Sequence, residues 1–387
     1  MDQRTQQKST PRRNTGFPEP RRWPGQKYWI ILITTIILLV ACTMSLFVLL
    51  LTETDGYSTP SDSQQSGRPS GTGNTERPTV KPQTNKETAP PTLSSMSNYI
   101  ASTSQFVQQI DGVIDSNNTI LIEIGEDGCT SIAEKDADLK IYPASMTKVM
   151  TLLVACENVT DLNKKLTVTQ EAIDYKSKYG GSGLLVSSSI GDAFTVRDLL
   201  YILSFDSDTV ACILLAEEIA GSEAEFVKLM NEKARSLGLS STNFVNSTGL
   251  HNADHYTTCR EMAAIMANAL DNPLARTILL STETKKITAY KGNTNEKSVN
   301  YWSAPDWYQK DEDGTRFKGA VTLETVVIKG GKTGYTDEAG VCLVTYAESK
   351  SIDKAYINVI VGKPKGSGLS ESISTSEVKK IYNTYAQ

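Results

Sequence analysis

The sequence predicts an α+β fold preceded by a single transmembrane helix, and three observations carry that expectation. Apolar residues recur with helical period in the middle of the chain, at 146–157, 196–221, 223–237 and 258–270. Short runs rich in β-branched residues fall toward its ends, at 119–124, 324–329, 340–347 and 355–361. A sheet assembled from the two ends and covered by a helical middle is the simplest arrangement of those runs. Far upstream, Trp29 to Leu51 supply 23 positions without a charge. At 1.5 Å per residue they reach roughly 35 Å, enough to cross a hydrocarbon core of about 30 Å.

From the N-terminus, the first segment is a basic tail, 1–27. It holds Arg4, Lys8, Arg12, Arg13, Arg21, Arg22 and Lys27 against Asp2 and Glu19. The apolar segment 28–52 follows. It is longer than the apolar part of a cleaved signal peptide and leads into LLLTETD with no small-residue cleavage pattern, so it reads as an uncleaved anchor. Positive charge on its N-terminal side places the tail in the cytoplasm and everything after Leu51 outside. Residues 53–96 are rich in Ser, Thr, Pro and Gly, and cannot bury enough surface to offset their ordering entropy. They read as a tether. The remainder, 97–387, is expected to be one folded domain, closed by a helix near Ser376–Tyr385.

Composition narrows the chemistry. A net charge of -5, more acidic once the basic tail is set aside, removes the electrostatic warrant for nucleic-acid binding. The six cysteines include no C-x-x-C pair, and the two histidines, His251 and His255, lie in one polar turn. No metal and no other cofactor is expected. A hydrolase built from these residues would take its base from something other than histidine.

Ser145 and Lys148 supply such a pair. Tyr142-Pro143-Ala144-Ser145 leads into a strong apolar helix, and proline suits a helix's first turn. Residues three apart share a helix face, so the lysine reaches the serine hydroxyl. A Lys148 kept neutral by burial and nearby cations would take the proton as Ser145 attacks a carbonyl. Ser-x-x-Lys also occurs at Ser351/Lys354 and Ser376/Lys379, read as solvated surface pairs. What distinguishes Ser145 is Lys332-Thr333-Gly334 downstream. On an edge strand this triplet offers a cation, a hydroxyl and a backbone position without a side chain, suited to holding a carboxylate while a peptide lies alongside. S-x-x-K with K-T-G is a known signature of penicillin-binding proteins and class A β-lactamases.

The blocks KIYPASMTKVMTLLVACE, GGSGLLV, VRDLLYILSFDSDTVACILLAEEIAGS, KARSLGLSSTNFVNSTGLHNADHYTTCREMA and GGKTGYTDEAGVCLVTYA resemble, in order, the serine-type D-alanyl-D-alanine carboxypeptidases. These are the low-molecular-mass penicillin-binding proteins. The resemblance implies a β-lactamase/transpeptidase-like fold, a five-stranded antiparallel sheet flanked by helices. It implies hydrolysis of the terminal D-Ala–D-Ala bond of peptidoglycan stem peptides, and covalent inhibition by β-lactams. Carried over, Ser145 is the nucleophile, Lys148 its base, and Lys332 with Thr333 the carboxylate-binding pair. The N–H groups of Ser145 and Tyr335, beyond Gly334, form the oxyanion hole. The enzyme is expected on the outer face of a bacterial cell membrane.

One element departs from the family pattern of Ser-x-Asn. Its position reads Ser207-Asp208-Thr209, which retains the serine as a proton shuttle and sets Thr209 in the substrate-binding asparagine's place. Two alternatives stay open there: a β-lactamase, though no Glu-x-x-Leu-Asn segment lies between Ser207 and Lys332, and a catalytically weakened muropeptide-sensing module. His251 and His255 read as turn or cap residues. Cys156, Cys212 and Cys342 read as small core residues, and the N-x-T triplets at Asn117, Asn158 and Asn246 would matter only in a eukaryotic secretory path, against which the peptidoglycan reading stands. The aromatic run 300–308 reads as cover for the sheet, with lining of a substrate cleft as the alternative.

Overall fold

The computed structural model describes residues 98–386 apart from 111, 126–127, 293, 296, 304–319 and 363–371. All of them belong to one compact unit, Thr84–Gln387, the other being Met1–Gln83. The expected tail, anchor and tether therefore lie outside the described residues, as do 304–308 of the aromatic run. Among the described residues no helix is long and apolar enough to cross a membrane.

Three strands open the unit: β1 (Ser102–Gln109), β2 (Asn118–Gly125) and β3 (Gly128–Lys135). A 3₁₀ turn, Ala144–Thr147, leads into α1 (Lys148–Asn158), followed by β4 (Lys165–Thr167), α2 (Gln170–Tyr179) and β5 (Asp192–Thr195). The helical middle continues through α3 (Val196–Phe205), α4 (Thr209–Ala220), α5 (Glu223–Ser236), α6 (Cys259–Asp271) and α7 (Pro273–Leu279). The chain then returns to strands β6 (Lys285–Lys291), β7 (Lys297–Ser303), β8 (Val321–Thr322), β9 (Val326–Thr336), β10 (Gly340–Ser349) and β11 (Ala355–Val361), and ends in α8 (Ser372–Tyr385).

The main sheet has seven strands in the order β1-β3-β2-β11-β10-β9-β8, which corrects the five-stranded antiparallel expectation. Its five inner strands, β3 to β9, are antiparallel throughout. The additions are at the edges. β1 joins β3 in parallel, and β8 meets β9 only at Val327 and Ile328. A strand reading STSQFVQQ, exposed along most of its length, has no apolar run to announce it. A second sheet, β4-β5-β6-β7, is antiparallel and also unforeseen, because its strands are short or, as in β6, have lysines at both ends.

The main sheet separates two cores. Along β11, Ala355, Ile357, Val359 and Val361 face the helical layer, while Tyr356 and Ile360 face the other way. Side chains alternate across a strand, so one continuous apolar run serves both faces. α4 lies within the helical layer, with every residue from Thr209 to Ala216 buried. α8 covers the opposite face with Val378, Ile381 and Tyr382.

The helix expected over 196–221 is two helices, α3 and α4. Apolar periodicity persists across the break and conceals it. Ser207 adopts φ 56°, and the Asp208 side chain caps α4 by accepting the Ala211 N–H at 2.8 Å. A short acidic side chain competing for backbone donors is a standard way to restart a helix.

Candidate active site

The 3₁₀ turn brings the serine and lysine together. Three residues per turn eclipse positions i and i+3, so Lys148 lies over Ser145. The Lys148 ammonium donates to Ser145 Oγ at 3.2 Å and to the Thr248 carbonyl at 2.5 Å. Lys148 is 2% exposed and heads the buried face of α1. Just before the serine, Ala144 takes φ 47°, a strained value for a residue with a side chain, and strain of this kind collects at functional sites.

β9 closes against the same turn. A Cβ placed on Gly334 would come within 3.0 Å of the Ser145 nitrogen and 3.1 Å of the Met146 nitrogen. A side chain there would force those backbone atoms to give by a few tenths of an ångström, so the glycine suits the close approach to Ser145. Period two puts Lys332 on the same face as Gly334, and Lys332 is 1% exposed. Its ammonium donates to the Thr333 carbonyl at 3.0 Å. Thr333 is half-buried and Tyr335 exposed, its hydroxyl donating to Asp337 at 3.1 Å. β10 runs beside the whole triplet, pairing Lys332 with Val344 and Gly334 with Cys342.

The α3–α4 break lies within electrostatic reach of Lys148. Ser207 Oγ is buried with no hydrogen-bond partner among the described residues. Asp208 accepts from the Leu185 N–H at 2.6 Å as well as from Ala211. Burial pushes its carboxyl up to about 6, against the pull of those two N–H donors and of Lys148. Beneath it, the Cys212 thiol is pushed up to about 12, by burial above all. The charges of Lys148 and Lys332 oppose that shift, while Asp208 and Glu223 add to it, so all four groups act on one point in α4.

Thr209 is buried and turned toward the loop before it. Its hydroxyl accepts the Ser182 N–H at 3.4 Å, its own N–H donates to the Ser182 carbonyl at 3.1 Å, and it packs against Gly181. Its side chain is thus engaged by residues 181–182. The structure brings Ser145, Lys148 and Gly334 into direct proximity, sets Lys332 and the Asp208 next to Ser207 within electrostatic reach of the same point in α4, and turns Thr209 toward residues 181–182.

A group with no sequence signal completes the site. Asn246 Oδ1 collects the N–H groups of Thr248 and Gly249 at 3.2 and 2.7 Å, folding 246–249 into a tight turn. Gly249, at φ +79°, presses on the nucleophile's turn, where a Cβ would meet the Ala144 carbonyl at 2.0 Å. An Asn with a Gly three residues on is turn chemistry that could have flagged the segment. The carbonyl it aims at Lys148 is a backbone group that any residue carries. His255 is also structural: it is buried, within hydrogen-bond distance of Thr147 Oγ1 at 2.8 Å, and accepts the Val245 N–H at 3.3 Å. Burial, with the charges of His251 and Lys148, pushes its imidazole down to about 4.

A helical layer packed on an antiparallel sheet, with Ser-x-x-Lys at their junction, defines a transpeptidase/β-lactamase-like fold. The crystal structure of the Streptomyces K15 DD-transpeptidase superposes with a TM-score of 0.57 at 25% identity, over 70% of this chain and 96% of that one. The sequence profile of the D-alanyl-D-alanine carboxypeptidases, peptidase family S11, matches residues 104–365. The chain belongs to that family. It is 31% identical over 248 residues to the D-alanyl-D-alanine carboxypeptidase DacF of Bacillus subtilis, and 31% identical over 224 residues to the D-alanyl-D-alanine carboxypeptidase of Streptomyces strain K15. These matches cover 64% and 56% of this chain, and 57% and 71% of the relatives, so the chain spans little more than half the length of the first.

Proposed function

We propose that the chain is a serine-type D-Ala–D-Ala carboxypeptidase acting on peptidoglycan stem peptides. The observation that carries this reading is the 3.2 Å contact between the Lys148 ammonium and Ser145 Oγ, with Gly334 of β9 lying against the same turn. Lys332 and Thr333 hold the terminal carboxylate, and the peptide lies alongside β9. Neutral Lys148 takes the Ser145 proton as Oγ bonds to the penultimate D-Ala carbonyl carbon. The N–H groups of Ser145 and Tyr335 receive the developing oxyanion. The C–N bond then breaks, and the proton passes by way of Ser207 to the departing D-Ala amine. Water cleaves the ester, which releases the shortened peptide and restores Ser145.

Ser207 Oγ suits that relay because it is buried at the α3–α4 break. Thr209, held by the 181–182 loop, leaves recognition of the peptide backbone chiefly to β9. Residues 28–52 anchor the enzyme in the bacterial cell membrane with the catalytic domain outside. β-Lactams, which mimic the acyl donor, acylate Ser145.

Intact-mass measurement after incubation with benzylpenicillin tests the reading. One adduct on the wild-type chain and none on Ser145→Ala is expected, together with release of D-Ala from a D-Ala–D-Ala-ended peptide. A wild-type chain without adduct overturns the mechanism. Many turnovers of a chromogenic cephalosporin would instead mark a β-lactamase. The anchor is tested separately: the full chain should sediment with membranes, and a chain lacking 28–52 should not.

A further inference from the structure

We propose that Glu223 is a positioning residue, holding Lys148 beside Ser145 through the Ser247–Thr248 segment of the loop. The inference rests on the function proposed above. Glu223 stands in the first turn of α5, on a different element from every residue assigned to the chemistry.

The ammonium of Lys148 lies nearer the Thr248 carbonyl, at 2.5 Å, than Ser145 Oγ, at 3.2 Å. That carbonyl is therefore one of the groups that set where the base rests, and moving it moves the base. Thr248 belongs to a loop between α5 and α6, so side chains must hold it. Glu223 Oε1 accepts from both the backbone N–H and the hydroxyl of Ser247, at 3.0 and 2.8 Å. Thr151, one turn beyond Lys148 on α1, donates its hydroxyl to the Ser247 carbonyl at 2.6 Å. Tyr175 of α2 hydrogen-bonds the Glu223 carboxylate and stands 3.3 Å from Thr248 Oγ1. Asn246 Oδ1 fixes the N–H groups on either side of the Thr248 carbonyl, and the neighbouring residue Ser247 is held from α1 and α5, with Glu223 supplying two of its contacts.

A half-buried carboxylate is costly unless donors surround it, and here they do. Burial pushes Glu223 up while the Ser247 and Tyr175 donors oppose that shift. Glu171 is the other acid acting on it, and its charge adds to the rise. Two of those donors belong to Ser247, the residue before the one whose carbonyl faces Lys148. Losing the carboxylate frees Ser247 to move, and the Thr248 carbonyl with it.

The test is the rate at which the purified full chain is acylated by a fluorescent penicillin, read alongside the fraction labelled at completion. A displacement on the order of 1 Å costs about a hundredfold in rate, so Glu223→Ala should slow acylation roughly ten- to hundredfold while labelling still runs to completion. Glu223→Gln keeps an oxygen for Ser247 and should remain within about threefold of wild type. Ser247→Ala keeps the backbone contact and loses one hydrogen bond, for a slowing of about two- to fivefold. With a D-Ala–D-Ala peptide, kcat should fall in Glu223→Ala while KM holds, because β9 binds the substrate.

A merely structural role would lower the labelled fraction of Glu223→Ala without slowing the molecules that react, and that result overturns the inference. So does a wild-type rate in Glu223→Ala, or in Ser247→Ala should the first variant fail to fold. A glutamine variant as slow as the alanine one overturns the hydrogen-bond route. A wild-type chain that takes no label overturns the proposed function itself, and the inference with it.

Discussion

At Ser145 and Lys148 the proposed hydrolysis needs no histidine base, and the two histidines of the chain are engaged elsewhere. Replacing Lys148 with Ala should slow penicillin acylation by about 10²–10⁴-fold, as expected when a positioned base is removed; stopped-flow labelling measures it. His255 gives a prediction of a different kind. Its folded-state pKa, about 4, lies below the ordinary value of 6.5, mainly through burial. Between those values the unfolded chain binds the extra proton, so the contribution of His255 is full above pH 6.5 and lost as pH falls toward 4. The stability advantage of wild type over His255→Gln should shrink across that window, read by urea unfolding at stepped pH. Asp208 titrates in the opposite sense: with a raised value of about 6, its contribution is present below pH 4 and fades as pH rises through 6. Residues of this scale were legible in the sequence where a side chain carries the chemistry. Ser145, Lys148 and Lys332 each stand in a motif with a reason for its spacing. The Thr248 carbonyl was illegible because every residue carries one, although the Asn246–Gly249 turn that presents it has recognisable chemistry.

The elements meet at glycines. Gly183, at φ +110°, would place a Cβ 2.3 Å from the Asp208 carboxylate, and Gly249 faces the Ala144 carbonyl more closely still. Gly249→Ala should displace the nucleophile's turn and reduce acylation about a hundredfold or more, since small misplacements carry that cost. Asp208→Ala removes the cap of α4 and the Leu185 contact together, leaving two buried N–H groups without acceptors. A loss of about 1–3 kcal/mol is expected, measured by chemical denaturation. The capping aspartate is also the residue that could have revealed the α3–α4 break. Periodicity hid it because apolar residues continue on both sides, and a pattern with period near four tolerates a short interruption. β1 was hidden for the opposite reason. Its exposed polar sequence makes no core contact that would impose alternation, so its strand form follows from pairing with β3 alone.

Across the whole molecule, the expected division of strands at both ends and helices between them describes the main sheet and its helical layer. The second sheet required tertiary knowledge, because β5 pairs with β6 across the five helices α3 to α7. Tyr382 of α8 is fully buried beneath the main sheet and hydrogen-bonds Thr345. Tyr382→Ala should cost about 3–5 kcal/mol, as large aromatic truncations in cores do. Acylation by the molecules that remain folded should be unchanged, since every catalytic group lies on the other face; unfolding and labelling measured together would show it. Tyr356 and Ile357 are neighbours in sequence, yet one belongs to the layer under α8 and the other to the layer that supports Ser145. Free-energy changes at groups that share no partners add, whereas those in contact do not. The strand therefore acts as an insulating partition. Substitutions can accumulate beneath α8, making the molecule sturdier or weaker, while the chemistry on the opposite side proceeds at its own pace.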